Sequence, residues 1–388
     1  MINKKEQERI TAIDRYLSDE EPDSIIKSLG KSKAWLYKWV DRYKSNDPFW
    51  YQEKSKRPNR ISGKIPSEIE EAVKIIRLSL YNKNVFCGAQ AIQWELDEMG
   101  IRPIPSLRTI NRILSRNDLT HRRTGKYIPK GTPYPKLVAE NPNQVHQADF
   151  IGPLYLNGPI RFYSLNIVDI ATGRCGTQPI NSRKSQNTVD SLWSIWWRLG
   201  IPQHLQIDNE MVFFGSNRHP RGMSAFIRLC LHHDVELWFI PVKEPWRNGV
   251  VEKFNEHYRQ KFLKKIQITS NEQLLSEAMN FERKHNNEYR YSKLKGKTPM
   301  KFLKERKSDL KYPPFYQAPQ LPLKKPEKGC YHFVRLIRSD LCLRIFTEKF
   351  FLPSDLMYEY VIATVDVKEQ KLKLFHNNIK LEEFNYKL

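Results

Sequence analysis

Apolar residues recur at helical spacing through the first 50 residues of the chain. Ile10, Ile13 and Leu17 share one face of a predicted helix over residues 4–17. Gly30 can then supply a tight turn, and Ser32 can cap the next helix. This pattern favours a helix-turn-helix module in residues 1–50, with a plain helical hairpin as the alternative. The residues predicted to face DNA are Lys33, Trp35 and Lys38.

The same helical pattern returns in residues 66–120. Pro66 opens a predicted helix that carries Ile69, Val73 and Ile76 on one face, and Ser106 can cap a later one. A second helix-turn-helix module is therefore predicted. In its last helix, the residues expected in the core are Leu107, Ile110 and Leu114. Those expected to be exposed are Arg108, Asn111 and Arg112.

Three segments between the predicted modules are basic and contain proline: residues 51–65, 121–143 and 291–328. They are interpreted as linkers. Basic linkers between DNA-binding modules often follow the phosphate backbone, while a solvated tether is the alternative. The arginines assigned to DNA by this interpretation are Arg57, Arg60, Arg122 and Arg123.

The hydrophobic pattern changes character in residues 144–290. Runs typical of strands alternate with helical patterns, which indicates a mixed α/β sheet with helices on its faces. The predicted strands lie at residues 145–151, 160–169, 174–180, 203–208 and 235–241. The predicted helices lie near residues 187–199, 221–233, 246–265 and 271–288.

The last 60 residues alternate polar and apolar positions in short runs. These runs include 330–338, 341–346, 360–367 and 371–375. Short strands at this spacing favour a small β-barrel over residues 329–388. The chain is therefore predicted to be multidomain, with helical modules, an α/β core and a C-terminal barrel.

The net charge of the chain indicates what kind of molecule it binds. The chain has 65 Lys and Arg against 43 Asp and Glu, a net charge of +22, and such a basic balance predicts a polyanion. A membrane surface is the weaker alternative, because the basic residues do not follow one amphipathic helix. The five cysteines form no CxxC pair, and there is no signal peptide or apolar run of membrane-spanning length. A reduced, cytoplasmic protein is expected.

Three carboxylates stand out by their local context. Asp149 lies in an apolar strand-like run, where an unpaired charge would be costly. Asp208 ends a second run, and Glu252 follows Asn248-Gly249 near the start of a helix. Carboxylates on separate elements suit a two-magnesium site for phosphodiester chemistry, with Mn²⁺ as a substitute. Ordinary surface acids are the alternative. Glu244 and Glu256 are rivals of Glu252.

The central region resembles the catalytic core of DDE transposases and retroviral integrases, which have a ribonuclease H-like fold. The matching segments are Gln147–Phe150, Val168–Thr172, Asp208-Asn209 with Phe213, and Asn248–Glu252 with Phe254-Asn255. Residues 1–143 contain only Cys87 and His121 as possible ligands of a retroviral-type zinc module. The chain therefore resembles bacterial insertion-sequence transposases more than retroviral integrases.

The resemblance implies a role for each matched residue. Asp149, Asp208 and Glu252 fall on the catalytic, metal-binding triad, with Asp149 bridging two ions. Asn248 would shape the turn close to DNA, and Arg259, two helical turns past Glu252, would contact DNA. The sequence departs from the family pattern at Glu210, where relatives commonly have Gly, and at His146, often Trp. The interval between Asp208 and Glu252 is also long, and the insertion is expected in residues 215–222.

The function implied is a DNA transposase. It would bind the terminal repeats of a mobile element, cleave a strand and transfer the 3′-hydroxyl into target DNA. It would work as a multimer on double-stranded DNA, with helper proteins possible, in the bacterial nucleoid and away from membranes. Two alternatives stay open: a DNA-binding regulator with a silent core, and a nuclease of the same fold without strand transfer.

Overall fold

The computed structural model describes residues 3–54, 65–120, 134–156, 161–215, 219, 221–306 and 308–388. Four arginines assigned to DNA from the basic linkers, Arg57, Arg60, Arg122 and Arg123, lie outside these residues, as do residues 216–218 and 220 of the predicted insertion. The chain forms two compact units, Met1–Ile65 and Pro66–Leu388. No helix in the described part of the chain is long and apolar enough to cross a membrane.

The first unit contains three helices: α1 (Lys4–Leu17), α2 (Pro22–Leu29) and α3 (Lys33–Lys44). Gly30 ends α2 in the left-handed conformation, at φ 62°, which glycine adopts without steric cost. The Ser32 hydroxyl accepts a hydrogen bond from the Trp35 backbone N–H and caps α3. Lys33 and Lys38 are exposed, as predicted, but the indole of Trp35 is half-buried against the core of the unit.

The second unit begins with α4 (Ser67–Asn82), α5 (Ala89–Glu98) and α6 (Leu107–Arg116). Ser106 caps α6 by accepting from the Thr109 N–H at 3.3 Å. The prediction that Leu107 is a core residue is wrong: it is 38% exposed. Leu107 starts the helix just after the cap, and Ile113 fills the core instead. Arg108 and Arg112 are exposed, and Asn111 is half-buried.

One nine-stranded sheet organises the rest of this unit, in the order β11-β10-β9-β6-β5-β4-β1-β2-β3. A separate two-stranded ribbon consists of β7 and β8. The strands are β1 (Val145–Tyr155), β2 (Arg161–Asp169), β3 (Cys175–Ile180), β4 (His204–Ile207), β5 (Glu236–Phe239), β6 (Cys330–Leu336), β7 (Cys342–Ile345), β8 (Glu348–Phe351), β9 (Tyr360–Asp366), β10 (Lys371–His376) and β11 (Ile379–Asn385).

Helices cover both faces of the central strands. They are α7 (Ser185–Leu199), α8 (Met211–Phe214), α9 (Ala225–His232), α10 (Gly249–His257), α11 (Asn271–Glu288) and α12 (Pro299–Lys304). Alternate residues of β1 serve the two faces, as the strand pleat requires. Ala148 and Phe150 pack in the same cluster as α7 and α9, whereas Ile151 packs in the same cluster as α10 and α11. The mixed α/β core predicted from the sequence is confirmed.

The C-terminal strands differ from the predicted arrangement. A separate barrel is not confirmed, because β6 pairs in parallel with β5 and extends the central sheet. The rings of Phe239 and Phe333 stack across this junction at 4.8 Å. One hydrophobic cluster runs from Ala148 on β1 to Tyr386 after β11. The outer edge of β5, which would otherwise leave backbone groups unpaired, is thus covered.

Candidate active site

Asp149 lies on the face of β1 that carries α10. It shares that face with Gln147 and Ile151 because side chains alternate along a strand. Across the antiparallel pair, it stands opposite Asn166 of β2. The apolar residues on either side of it, Ala148 and Phe150, are buried on the opposite face. The pleat of β1 therefore turns this carboxylate out of the main apolar core and toward the helix.

Strand register brings Asp208 to the same place. β1 and β4 are parallel, and Gln147 pairs with Gln206. Asp149 and Asp208 each follow two residues later, so they occupy equivalent positions on neighbouring strands, with Asp149 inside β1 and Asp208 directly after the end of β4. The backbone N–H of Glu210 donates to Asp208 Oδ1 at 2.9 Å, which fixes the turn after β4.

The start of α10 is bound to these same two strands. Gln147 Oε1 accepts from the N–H groups of Val250 and Val251, at 2.9 and 3.1 Å. From β4, Gln206 Nε2 donates to the Arg247 carbonyl at 2.9 Å. The two contacts from Gln147 satisfy N–H groups that the first turn of a helix leaves free, and the contact from Gln206 holds the segment just before the helix. They also fix the position of Glu252, which lies in that turn.

Asn248 contributes to this clamp from the turn before α10. Its Nδ2 donates to the Ala148 carbonyl at 2.9 Å, and the residue is 2% exposed. The structure thus places Asn248 in the turn before α10, where the sequence predicts that it shapes the turn. Its predicted contact with DNA stays a prediction.

Asp149 and Glu252 line one cleft of about 450 Å³, together with Arg259. Arg259 is exposed on it, which agrees with the expectation that it lies on the same side of the helix as Glu252. The rival Glu256 also lines the cleft, but its carboxylate is paired with Lys253. The rival Glu244 is bound elsewhere, by Arg247 and by the Tyr360 hydroxyl.

Electrostatics single out Asp149 among the acids of this cleft. Burial, together with the nearby charges of Asp208, Glu210 and Glu252, raises the pKa of Asp149 to about 7. Burial also raises the pKa of Asp208 and of Glu252. Several carboxylates that disfavour one another's ionisation form an environment in which a bound cation would be stabilised.

The donor chemistry suits a hard divalent ion, because all three predicted ligands offer carboxylate oxygens. In the described parts of the chain, no group of three or more His, Cys, Asp or Glu side chains has the geometry of a ready-made metal site. The three acids are therefore electrostatic neighbours that a cation would have to draw together. Mutual repulsion between unneutralised carboxylates opposes a closer arrangement.

A chain of amides positions Asp149. Asn255 Nδ2 donates to Asp149 Oδ2 at 2.7 Å, and Asn255 Oδ1 accepts from Asn166 Nδ2, also at 2.7 Å. Asn166 in turn accepts from the Ser164 hydroxyl at 2.9 Å. Asn255, Asn166 and Ser164 are buried, so one Asp149 oxygen is held and the other is left for a ligand. The family motif includes Asn255 but predicts no role for it, and its place three residues after Glu252 is the only sequence signal for the contact with Asp149.

We expect Asn255→Ala to lower strand cleavage by about 10–100-fold, since outer-shell partners of ligands typically have effects of this size. The variant should need more Mg²⁺ for half-maximal activity, because Asp149 is no longer oriented. The measurement is a Mg²⁺ titration of cleavage. Asn280→Ala, on an exposed position of α11, is the matched control. An unchanged Mg²⁺ requirement in Asn255→Ala would show that the amide does not position Asp149.

Glu210 adds a fourth acid to the neighbourhood. It occupies the position where relatives commonly have glycine, and Arg183 binds its carboxylate. Asp169, the last residue of β2, is fully buried, and its carboxylate accepts from the N–H of Ala171 at 3.1 Å. His146 is also fully buried, with Nε2 3.1 Å from Asn143 Oδ1. Neither Asp169 nor His146 reaches the cleft.

Comparison with known proteins supports an integrase-type core. Residues 233–299, which include Glu252 and α10, match the family model described as an integrase core domain. This match supports the resemblance to integrase- and transposase-type proteins over the part of the chain that carries Glu252. No curated protein matches the chain.

Solved structures of viral integrases are similar to parts of the chain. The catalytic core domain of HTLV-2 integrase in complex with magnesium is 20% identical, covers 42% of this chain and 97% of its own, and has a TM-score of 0.33. A simian T-cell lymphotropic virus intasome in complex with the PP2A regulatory subunit B56 gamma is 15% identical over 82% of this chain and 97% of its own, with a TM-score of 0.37. The catalytic core of BIV integrase is 15% identical over 42% and 95%, with a TM-score of 0.33. These likenesses are too distant to carry an argument about this chain.

Proposed function

We propose that the protein is a DNA transposase that cleaves a strand at the end of a mobile element and joins the freed 3′-hydroxyl to target DNA. One observation carries the proposal: Asp149, with a raised pKa, stands beside Asp208 on the neighbouring strand and shares a cleft with Glu252. The integrase-core match over residues 233–299 supports the same class of reaction. The net charge of +22 suits a nucleic-acid substrate.

The residues of this site would have separate roles. Asp149, Asp208 and Glu252 would hold Mg²⁺, or Mn²⁺ in its place. Bound divalent ions supply an activated oxygen nucleophile and stabilise charge on the leaving oxygen. Asn255 orients Asp149, and the clamp on the start of α10 fixes Glu252. Arg259, exposed on the same cleft, would bind a phosphate next to the reacting one.

Recognition of the element ends is assigned to the helical modules, as helix-turn-helix readers. Lys33 and Lys38 are exposed on α3, and Arg108 and Arg112 on α6. Holding two ends at once requires more than one copy, so we expect a multimer on DNA, with helper proteins as possible partners. Action on chromosomal DNA would place the protein in the bacterial nucleoid.

A joining assay tests the proposal. The protein is incubated with Mg²⁺, a plasmid target and a labelled duplex taken from the inverted repeats that flank the gene. Joined products are expected. Nicking without joining would favour a nuclease of the same fold. Retarded but intact DNA would favour a regulator, and identical behaviour of Asp149→Asn would rule out the catalytic role of this cleft.

A further inference from the structure

A second cleft, of about 590 Å³, lies beside the turn that follows Asp208. It begins at Asn209, directly after that acid, and its walls come from the loop between β5 and α10 and from β6 and β7. The cleft therefore has walls from both sides of the pairing between β5 and β6. Its basic residues are Lys243, Arg335, Arg338 and Arg344. Neither Asp149 nor Glu252 lines it.

The acids of this basic cleft are already engaged. Glu244 is bound by Arg247 and by the Tyr360 hydroxyl, each at 2.9 Å. Asp340 is paired with Arg344. Lys243 and Arg338 are exposed, and no ion pair to either is formed within the described parts of the chain. The cleft therefore presents positive charge that its own carboxylates do not neutralise.

Arg335 is the most informative of these residues, because its guanidinium is buried, at 7% exposure, without a carboxylate. It donates to Asn209 Oδ1 at 2.8 Å and to the Ile240 carbonyl at 3.0 Å. It also donates to the carbonyls of Val334 and Arg344, at 2.9 and 3.3 Å. All these acceptors are neutral. Burial lowers the pKa of Arg335 to about 10, which reflects a charge without a counter-ion.

We propose that this basic cleft binds a backbone phosphate of the DNA strand that crosses the acidic site. Arg335 supplies a fixed, buried charge, and Lys243 and Arg338 close on the phosphate from the exposed rim. The inference rests on the proposed function, since it needs a DNA strand at Asp208. A phosphate there would hold the strand on the Asn209 side while Arg259 holds it on the Glu252 side.

A phosphodiester fits this cleft better than a free small anion. The cleft includes Asn209, directly after Asp208, so a DNA strand at the acidic site would carry a backbone phosphate next to it. Arginine binds phosphate oxygens through charge-assisted hydrogen bonds of fixed geometry. The strand could be the cleaved element end or the target, and both have the same backbone chemistry.

The test uses the full chain and the double variant Lys243→Gln, Arg338→Gln, which changes exposed residues and leaves Arg335 in place. Affinity for a short labelled duplex of arbitrary sequence is measured at several salt concentrations, without metal. Each lost phosphate contact lowers the slope of log affinity against log salt by about 1. We expect a slope lower by about 2 and an affinity about tenfold weaker at low salt. Lys368→Gln, exposed in the turn between β9 and β10, is the control, and thermal unfolding checks that all variants fold.

Cleavage and joining identify the strand. A double variant that loses cleavage of the terminal duplex places the phosphate on the element end. One that cleaves normally but joins a precut end poorly places it on the target. A salt slope equal to that of Lys368→Gln, with wild-type cleavage and joining, overturns the basic cleft and leaves the proposed function intact. A wild-type protein that neither binds nor joins DNA overturns both.

Discussion

Asp149→Asn should abolish strand cleavage and joining while leaving the protein folded and able to bind DNA. We expect a loss on the order of 10⁴-fold, as for groups that act as one catalytic unit. The amide keeps the size of the side chain, and its oxygen can still accept from Asn255. The measurement is single-turnover cleavage of a labelled terminal duplex. Asp355→Asn, at an exposed position, should cleave like wild type.

When a chelator is present, Asp149→Asn should stabilise the folded protein even though it abolishes activity. The pKa of Asp149 is raised from 3.8 to about 7 in the folded protein. Between these values the folded state keeps a proton that the unfolded state has lost, so wild-type stability falls as pH rises from about 4 to about 7. At pH 8, Asp149→Asn should therefore be more stable than wild type, by roughly 1–3 kcal/mol.

Mg²⁺ should reverse that order, because a cation relieves the repulsion only where the carboxylate is present. Thermal unfolding at pH 8, with chelator and with Mg²⁺, measures both effects. Equal unfolding temperatures for wild type and variant in both conditions would mean that Asp149 neither repels the other acids nor binds the ion. Such a result would leave the acidic cleft without a chemical role.

Phe333→Ala should destabilise the catalytic core, although Phe333 lies in the segment predicted to form a separate barrel. Its ring is fully buried and stacks on Phe239 of β5. Loss of a buried phenylalanine costs about 3–5 kcal/mol. Phe351→Ala is the matched control, since Phe351 is 75% exposed on β8, and it should change stability by less than about 0.5 kcal/mol. Denaturant unfolding measures both.

A chain that ends at residue 328 extends this comparison. Without β6, the edge of β5 is left unpaired and the main hydrophobic cluster loses Phe333, Val361 and Leu374. We expect the truncated protein to be insoluble or unfolded, with no cleavage activity. A truncated protein that unfolds cooperatively and cleaves DNA would show that residues 329–388 are independent of the core.

The helix starts were predictable from the sequence because their signals are local. Ser32 and Ser106 cap the helices predicted for them, and Glu252 lies in the first turn of α10. Strand pairing was not predictable in this way. The alternation of polar and apolar residues shows which residues share a face of a strand, but it does not show which strand lies next to it. That is why the pairing of β6 with β5 was missed. The roles of Asn255 and Arg335 were missed for the same reason: each depends on contacts far along the chain, 106 residues away for Asn255 and Asp149 and 126 for Arg335 and Asn209.

The continuous sheet also constrains how genes of this type can be reassorted. A crossover within residues 291–328 would combine β5 of one parent with β6 of another, and the stacked pair Phe239 and Phe333 would have to be matched anew. A crossover near residue 65 falls between the two compact units and separates no paired strands. A new N-terminal unit should therefore be acquired more readily than new C-terminal strands, which are inherited together with Asp149, Asp208 and Glu252.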